Sequence, residues 1–189
     1  SGMYQTVERM LDIISKLLES EELEAGQAPL SPRVVDFAAL VDSVIEGYRA
    51  QAAEKAIEIR CEKEHPGILV YADNTALTEV LDNLVSNAVK YTLHGTTVRV
   101  RVSQTEEDVR FTVSDEGPGL TKDDRANLFK RFARLSAKPT GGENSTGLGL
   151  FIVKSLVDKM QGRVWCESEP GHGATFRVEL PRLAPEETR

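Results

Sequence analysis

Asn83, Asn87 and Lys90 step by four and then three residues along one stripe of a helical segment. Beside them Leu77, Val80, Leu81, Leu84, Val85 and Ala88 form an apolar stripe. The polar stripe can be read as a plain solvated face. A solvated face, however, is better built from Glu, Lys and Arg. Asparagine in mid-helix weakens the helix because its side chain competes for backbone hydrogen bonds, so two of them suggest a use. An amide oxygen can ligate Mg²⁺, and a lysine on the same edge can neutralise phosphate. Asn87 is the candidate for the metal and Lys90 for the phosphate; Glu79, one turn earlier, reads as structural.

A carboxylate supplies a second signal. Counting by two from Val109 through Phe111 and Val113 reaches Asp115 in "VSDEGPGL". The acid therefore continues the apolar face of a strand, at its end. Asp-x-Gly-Pro-Gly is also an ordinary turn. Yet an inward carboxylate must find a donor, and the exocyclic amine of adenine is one. Gly117 and Gly119 would let a flat base approach the backbone.

The third signal is "GGENSTGLGLFIVK". Gly142 and Gly147 fit the first half of a P-loop, but Leu148-Gly149 follows where Lys and Ser or Thr should stand. Ile152 replaces the third glycine of a dinucleotide fingerprint. A nucleotide site here must take its lysine and metal ligand from elsewhere in the chain. Gly147 and Gly149 open a helix, and a glycine-rich helix N-terminus offers free N–H groups and a positive dipole end to phosphates. Upstream, Lys130, Arg131, Arg134 and Lys138 precede a polar, glycine-rich stretch. That composition suits a basic lid, mobile over Lys138–Ser145 without nucleotide, although a solvated loop has the same look.

The elements that must position these groups alternate. Met3, Val7, Met10, Ile14 and Leu17 form a heptad seam on a helix ending near Leu23. Either it packs back on its own domain or, as the linker prolines Pro29 and Pro32 favour, it is half of a helical hairpin. A strand at Val34–Phe37, a helix at Phe37–Glu54, and strands around Ile57–Cys61 and Leu69–Ala72 follow. Asp73 caps a helix to about Tyr91. Val98–Val102 and Val109–Val113 read as a hairpin, with a short helix around Ala126–Phe132 and a longer one at Gly147–Gln161. Strands at Arg163–Ser168 and Ala174–Leu180 close the chain. This order suggests a two-layer α+β sandwich.

Composition is that of an ordinary globular chain: 189 residues, 40% hydrophobic and 28% charged. A net charge of −7 argues against nucleic acid as a partner. No apolar run approaches a membrane span. Ser1-Gly2 before Met3 reads as a cloning scar, so the chain is expected to be a cytoplasmic piece of something larger that a membrane could anchor. Cys61 and Cys166 lack metal or redox spacing.

In order and spacing, Asn83-x-x-x-Asn87-x-x-Lys90-Tyr91, Asp115-x-Gly117-x-Gly119, Phe129 with Phe132, and Gly147-x-Gly149 resemble the N, G1, F and G2 boxes of sensor histidine kinases. That ATP-binding fold is shared with type II topoisomerases and mismatch-repair ATPases. "GHGATF" is similar to a further glycine box, with Ala174 where Ser or Thr is usual. The resemblance covers Leu30 to about Pro181, and Met10–Gly26 looks like the second helix of the family's dimerisation hairpin.

The resemblance implies a Bergerat-type two-layer α/β sandwich. Residues 1–28 would be part of the dimerisation and phosphoacceptor hairpin, and 29–189 the catalytic domain. It implies ATP and Mg²⁺ as cofactors. Asn87 would bind the metal with Asn83 helping, Lys90 would contact phosphate, and Tyr91 would lie beside the nucleotide. Asp115 would accept from adenine between Gly117 and Gly119. Arg131 and Arg134 would reach the phosphates, Phe129 and Phe132 would anchor the lid, and Gly147, Leu148 and Gly149 would form the phosphate-binding turn. Implied partners are the hairpin of the same kinase, a response-regulator receiver domain and a second copy in the full-length protein. The phosphoacceptor helix is expected to lie outside this sequence, and His65, His94 and His172 all read as turn residues. The chain is therefore expected to hold the phosphoryl donor without the acceptor and not to autophosphorylate. Three alternatives remain: an ATP-driven clamp, which would carry a glutamate base in place of Asn83; a nucleotide sensor, which would lack Asn87 or Lys90; and a serine-kinase relative, which would lack the hairpin helix.

Overall fold

Valine alternation builds the central sheet. In β4 (Thr97–Gln104) and β5 (Asp108–Ser114) the residues Val98, Val100, Val102, Val109, Phe111 and Val113 are buried, while Arg99 and Arg101 between them face solvent. The two strands pair antiparallel, Val102 opposite Phe111 and Val100 opposite Val113. β7 (Ala174–Pro181) joins the far side of β5, and β6 (Arg163–Ser168) joins β7, both antiparallel. β2 (Glu58–Lys63) pairs parallel with β4, giving the order β2-β4-β5-β7-β6. The structure, a computed structural model, describes residues 2–26, 29–141, 143 and 146–182.

Helices α2 (Phe37–Glu54), α3 (Asn74–Tyr91) and α5 (Gly149–Lys159) cover the inner face, with α3 against both of the others. Their apolar stripes enter one core: Val41 and Ile45 from α2, Leu77, Leu81 and Leu84 from α3, Ile152 and Val153 from α5. Phe37 meets Phe111 edge to face, with ring centroids 6.4 Å apart. Asp36 and Asp73 cap α2 and α3, accepting from Ala39 and Ala76 N–H. β1 (Arg33–Asp36) and β3 (Leu69–Ala72) form a separate two-stranded sheet. The architecture is the expected mixed α+β sandwich.

Two helices are placed differently from the sequence reading. The short helix expected at Ala126–Phe132 is α4, Lys122–Asn127. Thr121 and Asp124 form a reciprocal capping box that starts it earlier. The helix expected at Gly147–Gln161 is shorter at both ends, because Gly147 (φ 71°) and Gln161 (φ 59°) take left-handed backbone.

The N-terminal helix α1 (Gly2–Glu24) behaves in two ways. Val7, Met10, Ile14 and Leu17 are exposed. Its last turns do pack back: Ser20 is fully buried and Leu23 joins the core beside α5.

Phe111→Ala should destabilise the domain by about 3–5 kcal/mol, since it empties a closed site at the sheet centre. Urea unfolding of the variant checks this; a loss under about 1 kcal/mol would show that the core is not organised around this ring.

Candidate functional site

A cavity of about 530 Å³ opens between α3, the end of β5, the N-terminus of α5 and the chain following α4. α3 contributes Asn83, Asn87, Lys90 and Tyr91; Asp115 stands at the end of β5; Gly119, Arg134, Gly147 and Gly149 complete the sequence-derived set on its wall. Phe132 also lines it, half exposed and in left-handed backbone (φ 57°), while Phe129 packs against the core.

Asp115 is the inner carboxylate. Its Oδ1 accepts N–H groups from Gly117 at 2.8 Å and Ala174 at 3.3 Å. Oδ2 makes no hydrogen bond among the described residues, and Asp115 lines the cavity. Burial pushes the carboxyl up to about 6, against the pull of those two N–H groups. Burial also raises the neighbouring Cys166 thiol to about 12, with Asp115 adding to the effect, so that sulfur stays protonated and inert.

The asparagines differ in their surroundings. Asn83 is buried; its amide nitrogen donates to the Glu79 carbonyl and carboxylate, both at 2.9 Å. Its oxygen is turned to Gly149, where an added Cβ would stand 2.5 Å away. A side chain at position 149 would therefore have to displace the Asn83 amide where α5 begins against α3. Asn87 lines the cavity, and its side-chain amide makes no hydrogen bond within the described residues. That amide suits a cation completed by phosphate oxygens and water. Among the described residues no cluster of three or more His, Cys, Asp or Glu side chains could hold a metal by itself. No side chain caps α5, so its first N–H groups remain available at the cavity.

Three sequence-derived residues lie off this wall. Leu148 is buried, its side chain in the core. Gly117 borders a second, smaller cavity with His172. Arg131, expected at the phosphates, is turned onto α1. It pairs with Glu24 at 2.7 Å and with Glu21, and donates to Ser20 Oγ at 3.1 Å, while its Nε is buried without a partner.

The far arm of the lid is tied down. Thr140 N–H donates to the Lys90 carbonyl at 2.9 Å, and its hydroxyl to the Thr92 carbonyl at 2.8 Å. Buried Lys55 bridges the Val89 and Lys90 carbonyls to Glu143. Gly142, Asn144 and Ser145, within the stretch expected to be mobile, lie outside the described residues. At its near end, Ser136 and Thr121 hydrogen bonds outweigh burial and hold Asp124 at about 2.

Lys16 of α1 also lines the cavity. Sequence reasoning passed over it because the heptad seam drew attention to the opposite side of the helix. The available signal was a second stripe, Lys16, Ser20 and Leu23, at four-then-three spacing.

Residues 72–184 match the family described as "Histidine kinase-, DNA gyrase B-, and HSP90-like ATPase". Over 183 residues the chain is 36% identical to the sensor protein EvgS of Escherichia coli O157:H7, covering 94% of this chain and 15% of that protein. It is 34% identical over 182 residues to the virulence sensor protein BvgS of Bordetella bronchiseptica, covering the same shares of each. The chain thus spans a small part of these relatives. The crystal structure of full-length ShkA in complex with AMPPNP superposes with a TM-score of 0.83 at 34% identity, over 95% of this chain and 37% of that one.

Asp115 has a folded value near 6 and an ordinary value of 3.8. Its contribution to stability is therefore full below pH 3.8 and is lost as pH rises through 6. Asp115→Asn keeps an oxygen for Gly117 and removes the titration. The variant should gain stability relative to the parent as pH rises from 3.8 to about 6, and parallel pH–stability curves in urea would contradict this placement of the carboxylate.

Proposed function

Because the chain belongs to the family of histidine kinase-, DNA gyrase B- and HSP90-like ATPases, we propose that it is the catalytic, ATP-binding part of a sensor histidine kinase. It would present the γ-phosphoryl group of ATP to a histidine on a dimerisation hairpin. The observation that carries the reading is the convergence of Asp115, Asn87 and Lys90 on one cavity, beside the uncapped start of α5.

In this reading Asp115 Oδ2 accepts the adenine amine, and Tyr91 lies beside the nucleotide. The first amides of α5 and Lys90 bind phosphate oxygens, with Arg134 on the same wall. Asn87 is the protein ligand of Mg²⁺, and Asn83 stands behind it, holding the contact with Gly149. When bound, the metal would neutralise charge between the phosphates. The chain's own contribution is orientation and positive potential rather than covalent chemistry. An amide at position 83 cannot take a proton from water, and Glu79 is engaged by that amide, which favours phosphoryl transfer over an ATP-driven clamp.

The exposed seam of α1 fits the second helix of the hairpin, so residues 1–28 would belong to it and 29–189 to the catalytic domain. The first hairpin helix, a second copy and a receiver domain would then be the partners of the complete protein. Among the described residues no helix is long and apolar enough to cross a membrane.

Calorimetry should detect Mg²⁺-dependent ATP binding. Asp115→Asn should weaken it by roughly tenfold or more, the effect of a lost charge-assisted contact of about 1.5–3 kcal/mol. Unchanged affinity in that variant would remove the adenine assignment. The chain alone with Mg-ATP should acquire no acid-labile label, and adding its histidine-bearing hairpin should produce it. Label on the chain alone would make one of the turn histidines an acceptor, whereas no label with the hairpin, despite good binding, would favour a nucleotide sensor.

A further inference from the structure

The cation expected at the phosphates from position 131 is elsewhere, and a cation from α1 is in the cavity. Arg131 grips α1 through Ser20, Glu21 and Glu24, with its guanidinium 5.0 Å over the Phe132 ring. Lys16, one turn before Ser20 on the same face, lines the cavity with Lys90 and Arg134. Among the described residues Asp115, beside Ala174, is the single carboxylate on that wall. α1 packs on α5, whose first residue, Gly149, belongs to the same wall. Among the described residues the wall thus carries three basic side chains and one acid, a balance suited to a polyanion.

We infer that Lys16 is a phosphate-binding residue of the nucleotide site, and that Arg131 is a positioning residue that holds α1 on the domain so that Lys16 reaches the cavity. The inference rests on the nucleotide reading above. Glu19, one turn along α1, is raised to about 7 by burial and the facing Glu79, against the pull of Lys16. Ser20, fully buried, and Leu23, in the core, set the height of α1, and the Arg131 clamp sets its rotation. The helix that carries the exposed seam thereby becomes one wall of the nucleotide site. Nucleotide occupancy and the posture of α1 are linked through Lys16 and must strengthen each other by the same factor.

The test is titration of the 189-residue chain with Mg-ATP and, separately, with adenosine. Lys16→Met should weaken ATP binding roughly fivefold to tenfold, as for loss of one partly exposed charge contact. It should leave adenosine binding unchanged, and Lys16→Arg should restore the ATP affinity. Arg131→Met and the double variant Glu21→Gln/Glu24→Gln should each give the same selective loss, and neither should add to Lys16→Met. Unchanged ATP affinity in Lys16→Met overturns the inference. So does tighter ATP binding in the Glu21→Gln/Glu24→Gln variant, which would mean that those acids compete with phosphate for Arg131. A wild-type chain that binds neither ATP nor adenosine contradicts the nucleotide reading itself, an outcome distinct from both.

Discussion

A carboxylate on the inner face of a sheet is costly unless something meets it. Strand alternation carries Asp115 inward at the end of β5, directly after the buried run Val109, Phe111 and Val113. One oxygen is satisfied by the Gly117 and Ala174 N–H groups, and the other makes no hydrogen bond among the described residues. The surrounding loops are built to keep this arrangement. Gly119 takes φ 71° with the Glu169 carbonyl so close that a Cβ would lie 2.0 Å from it. Buried Ser168 accepts from Leu120 N–H and donates to the Gly173 carbonyl, tying together the loops on either side of the acid. The carboxylate's raised value follows from its burial, against the pull of the Gly117 and Ala174 N–H groups.

Everything else at the site is placed relative to α3. One of its faces is core; the neighbouring stripe is the cavity wall, and the offset between the two brings Asn87 and Lys90 to the cavity without breaking the packing. Its C-terminal carbonyls are then used twice, by the buried Lys55 ammonium and by Thr140 of the lid. The helix that presents the polar stripe thus also anchors the far arm of the loop covering it.

Much of this was legible in the sequence because it is local. Period-two valines gave β4 and β5, Asp36 and Asp73 marked helix starts, and the Asn-Asn-Lys spacing identified a face. α4 was misplaced because its start depends on the Thr121–Asp124 box, which lies before the apolar residues that were taken to define it. The parallel partnership of β2 with β4 depends on a connection through α3 that no local pattern reveals. The exchange between Arg131 and Lys16 was also hidden. It depends on the rotation of α1 against α5, a long-range docking fixed by Ser20 and Leu23 rather than by the seam that dominates the helix.

The central claim is that one cavity reads adenine at Asp115 and phosphate at the start of α5. Amide chemical-shift mapping tests it most directly, with adenosine and a non-hydrolysable Mg-ATP analogue titrated in parallel. The account predicts that adenosine shifts the amides of Gly117 and Ala174 and leaves Gly149 and Leu150 unmoved, while the ATP analogue shifts both pairs. Perturbations from the analogue that spare both pairs, or that cluster on another face of the sheet, would contradict it.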